Sequence, residues 1–327
     1  MRINQTLSVY ARNKQTKKLR HRILFASLLS AVVLLFGGHG VTSFIADMLT
    51  PSAKTDLSHI SLAQNVKLAW PTVGQAAVGS TEKGLLARSS DDEEVRPTAS
   101  MAKIITALAI MEKQPLKSGQ TGPTYTVTSE DVDNYLAYAA KDGSVMPVHE
   151  GMVLTQYEAM QAMLIMSANN IADMMVEKTF GSTESYTVYA QAMLQRMGLN
   201  RTIVDDASGF SPETASTPSE LVALGIAALK NPVIAEIVAQ QQAWIPGVGL
   251  VKNTNELLGT DGVVGIKTGT TDEAGNCLLF AARYTAENGK KVTIVGVVMG
   301  DTDAGRLYSD SKKLLTSVRR DFSLTND

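Results

Sequence analysis

Between residues 155 and 240 the sequence carries helix signals in succession, and strand-like runs lie before and after that stretch. This order restricts the fold more than composition does. Strands so far apart along the chain can share one sheet only if the helices between them fold out as an insertion. The helical stretch opens at Thr155-Gln156-Tyr157-Glu158, a capping box with Thr at the N-cap and Glu three residues on. The apolar run AMQAMLIM continues it and breaks at Ser167-Ala168-Asn169. A second helix, NIADMMVEKTF, closes at Gly181. Thr217-Pro218-Ser219-Glu220 starts another, with Pro at the first helical position. Met160, Met163, Met166, Met174 and Met175 recur at helical spacing and read as core filling.

Upstream, QAAVGS and LLARSS flank TEKG and read as a hairpin whose turn ends at Gly84. A helix is expected from about Ser100, and residues 114–150 are turn-rich with little period. Downstream, VVGIKTGTT, NCLLFAARYT and KVTIVGVVMG are strand-like, and Asn288-Gly289 marks a hairpin between the last two. An amphipathic helix, LYSDSKKLLTSVRRDF, closes the chain. These elements predict one α/β domain over residues 65–327, with a mainly helical subdomain inserted at about 116–235.

The N-terminal region is of another kind. Residues 1–22 hold seven Lys and Arg and no acid, and residues 23–46 hold no charge at all. At about 1.5 Å per residue, that apolar stretch is long enough to cross a bilayer core of roughly 30 Å. The flanking cations keep residues 1–22 in the cytoplasm as a basic tail. The absence of an A-x-A cleavage site favours a single-pass membrane anchor over a secretory signal that is removed. In both cases the body of the chain lies outside the cytoplasm, joined through a polar linker at 47–64. Without the seven N-terminal cations, 23 basic residues face 32 acidic ones, so no basic footprint for nucleic acid exists. The four histidines have no HExxH or C-x-x-C company, so no metal site is expected. The single cysteine, Cys277, reads as a small buried residue in a strand.

Within the body, three short elements carry chemistry. Ser100 and Lys103 are three residues apart at the mouth of an apolar helix, so their side chains are neighbours. A serine hydroxyl needs a base to become a nucleophile. A lysine serves if burial and nearby positive charge destabilise its ammonium form. S-x-x-K also occurs by chance, as at Ser309 and Lys312. What makes the first pair specific is its order with Ser167-Ala168-Asn169 at a helix break and Lys267-Thr268-Gly269-Thr270 on a strand. Lys117-Ser118-Gly119 imitates the third element but precedes the second and lacks a strand.

With these three elements in order, the sequence resembles the penicillin-recognising serine enzymes, whose fold is β-lactamase/transpeptidase-like. That resemblance implies an antiparallel sheet flanked by helices. It is strongest to the low-molecular-mass D-alanyl-D-alanine carboxypeptidases, through RPTASMAKIITAL, MLIMSANNIADMM, DASGFSPETASTPSELVAL and DGVVGIKTGTTDEAGNCLLFAA. It spans roughly residues 70–320. By that resemblance Ser100 is the acylated nucleophile and Lys103 its base. Ser167 relays a proton to the leaving amine and bonds Lys267. Asn169 holds the substrate backbone, Lys267 and Thr268 hold its terminal carboxylate, and Gly269 admits it close to the strand. The backbone N–H groups of Ser100 and Thr270 form the oxyanion hole. The implied substrate is a peptidoglycan stem peptide ending in D-Ala-D-Ala, the implied inhibitors are β-lactams, and no cofactor is needed. Many relatives also carry a β-rich C-terminal domain and a terminal amphipathic anchor, for which this chain has the N-terminal segment 23–46. A class A β-lactamase would need a glutamate in an E-x-x-L-N run, which is absent; Asp205 and Asp206, in that region, read as loop carboxylates near a turn. A D,D-endopeptidase with the same residues, and a non-catalytic binding protein on the same fold, remain the alternatives.

Overall fold

A computed structural model of the chain describes residues 67–326, which fall in one compact unit. The expected basic tail, apolar segment and linker lie outside the described residues. Among the described residues no single helix is long and apolar enough to cross a membrane.

The frame is a six-stranded antiparallel sheet. Strands β1 (Gln75–Ser80) and β2 (Gly84–Arg88) form the upstream hairpin. The downstream strands are β9 (Val263–Thr271), β10 (Gly275–Ala286) and β11 (Lys291–Asp301). β1 pairs with β11, Ala77 opposite Val297, and this joins the two ends of the domain. β10 lies beside β11 and carries β9 on its other edge, with β12 (Leu324–Asn326) on the same edge further along.

Both faces of the sheet are covered, and strand alternation decides which side chain goes where. Ala76, Val78, Leu278, Phe280 and Val298 pack with Leu307, Leu314 and Val318 of the C-terminal helix α8 (Ala304–Asp321). Ala77, Leu279, Ala281, Val295 and Val297 face the opposite way, into the core of the helical region. That region contains α1 (Lys103–Lys113), α2 (Ser129–Ala139), α3 (Gln156–Ile165), α4 (Asn169–Phe180), α5 (Thr183–Arg196), α6 (Pro218–Lys230) and α7 (Pro232–Val238). Met160, Met163, Met174 and Met175 lie inside this core, and Met166, partly buried, packs against it. Short strand pairs stitch the loops: β3 (Arg96–Pro97) with β6 (Ala215–Ser216), β4 (Thr124–Thr126) with β5 (Val153–Thr155), and β7 (Gln242–Ile245) with β8 (Gly249–Lys252).

Two expectations need correction. Residues 114–150 hold more regular structure than their weak period suggests, namely β4 and α2. α2 buries only Asp131, so it has no apolar stripe to announce it. It starts on a capping box between Thr128 and Asp131. The helix expected from Ser100 instead begins at Lys103, and Ser100 sits in a preceding 3₁₀ turn, Ala99–Ala102.

Candidate active site

The turn that carries Ser100 is fixed before Ser100 is reached. Thr98 is fully buried and donates both its N–H and its hydroxyl to the Thr214 carbonyl, at 3.0 and 3.1 Å. Ala99 then takes a left-handed conformation, φ 46°, which is uncommon for a residue with a β-carbon. Ser100 emerges half-buried from this strained turn.

Lys103 is fully buried, yet all three of its N–H donors are matched. Nζ donates to Ser100 Oγ at 2.8 Å, to Asn169 Oδ1 at 2.7 Å and to the Ser208 carbonyl at 2.8 Å. Burial lowers its pKa from 10.5 to about 7, against the opposing pull of the Asp206 and Asp173 carboxylates. The lowering expected from sequence is therefore present, and its main cause is desolvation.

The second element sits where α3 ends. Ser167, 4% exposed, also takes a left-handed conformation, φ 66°, turning the chain so that α4 starts at Asn169. Asn170 pins the neighbouring loop by accepting from Met146 N and donating to Met146 O, both at 2.9 Å.

The third element is the outer edge of β9, which pairs with β10 alone. A β-carbon at Gly269 would lie 3.0 Å from Ser100 N, from the Thr98 carbonyl and from Ala99 Cβ, so this edge runs directly along the Ser100 turn. Thr268 Oγ1 and Thr254 Oγ1 share a hydrogen bond at 2.6 Å, and Thr270 Oγ1 donates to Asn276 Oδ1 at 3.2 Å. Lys267 is buried, and its pKa is held well below 10.5 by desolvation and then by the charge of Lys103. Its Nζ donates to the Thr268 carbonyl at 3.1 Å rather than to Ser167. The bond expected between Lys267 and Ser167 is thus replaced by one to the neighbouring backbone, the acceptor that lies within reach.

Sequence reasoning read Asp206 only as a loop carboxylate and passed over Ser208, Asp173 and Tyr138. Asp206 sits in a tight loop and accepts from Ser208 Oγ at 2.8 Å, Thr214 Oγ1 at 2.6 Å and the N–H groups of Gly209 and Phe210 at 3.0 and 2.9 Å. This fixes Ser208, whose carbonyl meets Lys103. Asp173 lies one turn beyond Asn169 on α4 and accepts from Tyr138 Oη of α2 at 2.7 Å. The run Asp-Asp-Ala-Ser-Gly was readable as an Asx-type loop; Tyr138 and Asp173 carried no local signal. Among the described residues no group of three or more His, Cys, Asp or Glu could hold a metal ion.

Known proteins are similar to this chain in sequence and fold. The family model for D-alanyl-D-alanine carboxypeptidases, peptidase family S11, matches residues 76–303. The D-alanyl-D-alanine carboxypeptidase DacB2 of Mycobacterium tuberculosis is 26% identical over 73% of this chain and 79% of its own. A D-alanyl-D-alanine endopeptidase of Escherichia coli is 24% identical over 75% of this chain and 76% of its own. Among solved structures, the Streptomyces K15 DD-transpeptidase superposes with a TM-score of 0.65 at 23% identity, covering 76% of this chain and 97% of that one. Penicillin-binding protein D2 of Listeria monocytogenes, solved in its ampicillin-bound form, gives a TM-score of 0.62 at 24% identity, covering 77% and 98%. Because the family model spans most of the folded body, the chain belongs to the peptidase family S11 of D-alanyl-D-alanine carboxypeptidases.

Proposed function

We propose that the protein is a serine D,D-carboxypeptidase that removes the terminal D-alanine from peptidoglycan stem pentapeptides through an acyl-enzyme on Ser100. The observation that carries this reading is the 2.8 Å contact between Ser100 Oγ and a buried Lys103 whose pKa is near neutrality. Neutral Lys103 accepts the Ser100 proton as Oγ bonds to the carbonyl carbon of the penultimate D-alanine. The peptide C–N bond then breaks, and the departing D-alanine takes a proton relayed by Ser167. Water hydrolyses the ester and regenerates the hydroxyl. A β-lactam enters by the same attack, and its ester persists.

Lys267 and Thr268 supply the anchor for the terminal carboxylate. Lys267 is a buried amine without a carboxylate partner among its hydrogen bonds, so a substrate carboxylate would restore the cation that desolvation disfavours. Asn169 serves as both acceptor for Lys103 and donor toward the substrate backbone. Ser100 and Thr270 N–H groups line the oxyanion site, a pairing supported by the close run of β9 along the nucleophile turn. Residues 23–46 tether this domain to the outer face of the cytoplasmic membrane.

The test is incubation of the full chain with a fluorescent penicillin and with a pentapeptide ending in D-Ala-D-Ala. One covalent label per chain, its loss in Ser100→Ala, and release of one alanine are expected. Rapid drug hydrolysis without alanine release would make it a β-lactamase, and cleavage confined to cross-linked peptides would make it an endopeptidase.

A further inference from the structure

Around Lys103 lie groups that the reaction just described does not use. Asp173 is four residues beyond Asn169 on α4, so it occupies the same helix face one turn deeper. Tyr138, near the end of α2, donates to Asp173 Oδ2 at 2.7 Å. Ser208 Oγ donates to Asp206 Oδ2 at 2.8 Å. Each carboxylate is thus held by its own hydroxyl donor, Tyr138 for Asp173 and Ser208 for Asp206, and both act electrostatically on Lys103. The ring of Tyr138 is held by an edge-to-face contact with Phe210, centroids 5.3 Å apart at 87°.

We propose that Tyr138 and Asp173 are positioning residues for the acylation step, holding a second negative charge one helical turn from the Asn169 amide that accepts from Lys103, and that this charge sets the pH at which the lysine becomes a base. The proposal rests on the carboxypeptidase reading above. Asp206 alone already shapes the Ser208 loop, and its carboxylate is committed to six hydrogen-bond donors there. Asp173 has a single such commitment, to a tyrosine that approaches from another element. Its carboxylate is thus the adjustable one. Burial raises its pKa to about 6, while the Tyr138 hydroxyl and Lys103 lower it. Its charge accordingly changes in the same region as that of Lys103.

The other ionisable groups facing this centre are Lys267 from β9, whose charge repels that of Lys103, and Tyr186 from α5, buried against Thr106. Burial holds Tyr186 neutral across the working range, leaving Asp173 and the two lysines to set the profile.

The experiment follows the rate of acylation by a fluorescent penicillin from pH 5 to 9 in the wild-type chain, Asp173→Asn and Tyr138→Phe. Asparagine keeps the acceptor for Tyr138 and removes the charge. With that charge gone Lys103 loses its proton more readily, so the acid limb moves to lower pH. A shift of half a unit makes acylation near pH 6 about threefold faster relative to the alkaline plateau. Tyr138→Phe removes the donor that favours ionised Asp173 and moves the limb the same way by less. A role confined to packing would lower the plateau or the melting temperature and leave the limb in place. An unmoved limb in Asp173→Asn overturns the proposal, and an unmoved limb in Tyr138→Phe alone removes the tyrosine from it. Where Asp173→Asn does not fold, Tyr138→Phe alone decides. Absence of acylation in the wild-type chain would overturn the carboxypeptidase reading and this one together; a wild-type chain that acylates separates the two.

Discussion

Gly209→Ala probes how tightly the Asp206 loop is seated against the Ser100 turn. Gly209 has φ +74°, and a β-carbon there would sit 1.9 Å from the Ala99 carbonyl oxygen, 2.6 Å from its carbon and 2.8 Å from Ala102 Cβ. The first two neighbours are backbone and cannot swing aside. A left-handed conformation costs alanine about 1–2 kcal/mol, and overpacking a tight site costs about 1–3 kcal/mol more. Together they destabilise the domain by about 2–5 kcal/mol. For a domain of this size a kcal/mol moves the melting temperature by about 2–4 °C, so a loss of about 4–20 °C is expected. Relief of the clash separates the loop from the turn and draws the Ser208 carbonyl off Lys103. A misplacement of about 1 Å at such a centre slows reaction by up to about 10²-fold. The assay pairs thermal melting by circular dichroism with stopped-flow acylation by a fluorescent penicillin. Gly198→Ala is the control: φ is +78° there, but nothing lies within 4 Å of the added carbon, so only the conformational cost applies. If Gly209→Ala melts no lower than Gly198→Ala and acylates at the wild-type rate, the seating of this loop does not govern the site.

Two further outcomes follow from buried titratable groups. Lys103 has a pKa near 7 when folded and 10.5 ordinarily, so between these values the unfolded chain binds the extra proton and stability rises with pH. Lys103→Met should flatten urea midpoints measured between pH 7 and 10, removing a slope that approaches about 1.4 kcal/mol per pH unit; an unchanged slope would mean that Lys103 stays charged in the fold. Cys277 is buried, its thiol is pushed up to about 11, and it donates to the Ala274 carbonyl at 3.5 Å. It should resist a thiol reagent in the native protein and react fully in guanidinium, and stoichiometric labelling of the native chain within minutes would contradict that burial.

The elements that announced themselves were those whose local chemistry is self-sufficient. Thr155 and Glu158 form the capping box at α3, Pro218 starts α6, and the Asn288-Gly289 turn joins β10 to β11. Ser100 and Lys103 were legible because they are near neighbours: Lys103 reaches Ser100 across three residues of a tight turn. Ser167 and Lys267 were legible only through their order along the chain, since nothing local gives a helix break and a strand a common destination. α2 escaped notice because it buries almost nothing, and a helix without an apolar face leaves no period in the sequence. Tyr138 and Asp173 escaped for another reason. They are 35 positions apart, on different helices, and their meaning lies in a contact that only tertiary packing creates. Ser208 contributes a backbone carbonyl, and residue type carries no signal for that.

On the proposed reading the two buried lysines take two different tasks. Lys103 and Lys267 are both fully desolvated, and in both the ammonium is disfavoured for that reason. They differ in what surrounds them. Lys103 has three acceptors and two carboxylates acting on it, which hold its pKa near neutrality, where a base is useful. Lys267 has one backbone acceptor and a like charge nearby, so its own fold gives it little reason to be charged. A ligand that brings a carboxylate changes this for Lys267 far more than for Lys103. On the proposed reading, anchoring the terminal carboxylate is thus coupled to proton uptake at β9. The cation formed there repels Lys103, favouring its neutral form at the moment a substrate is in place. Carboxylate binding then promotes the base that attacks it, which a penicillin lacking its carboxylate would fail to do even where it still fits the cleft.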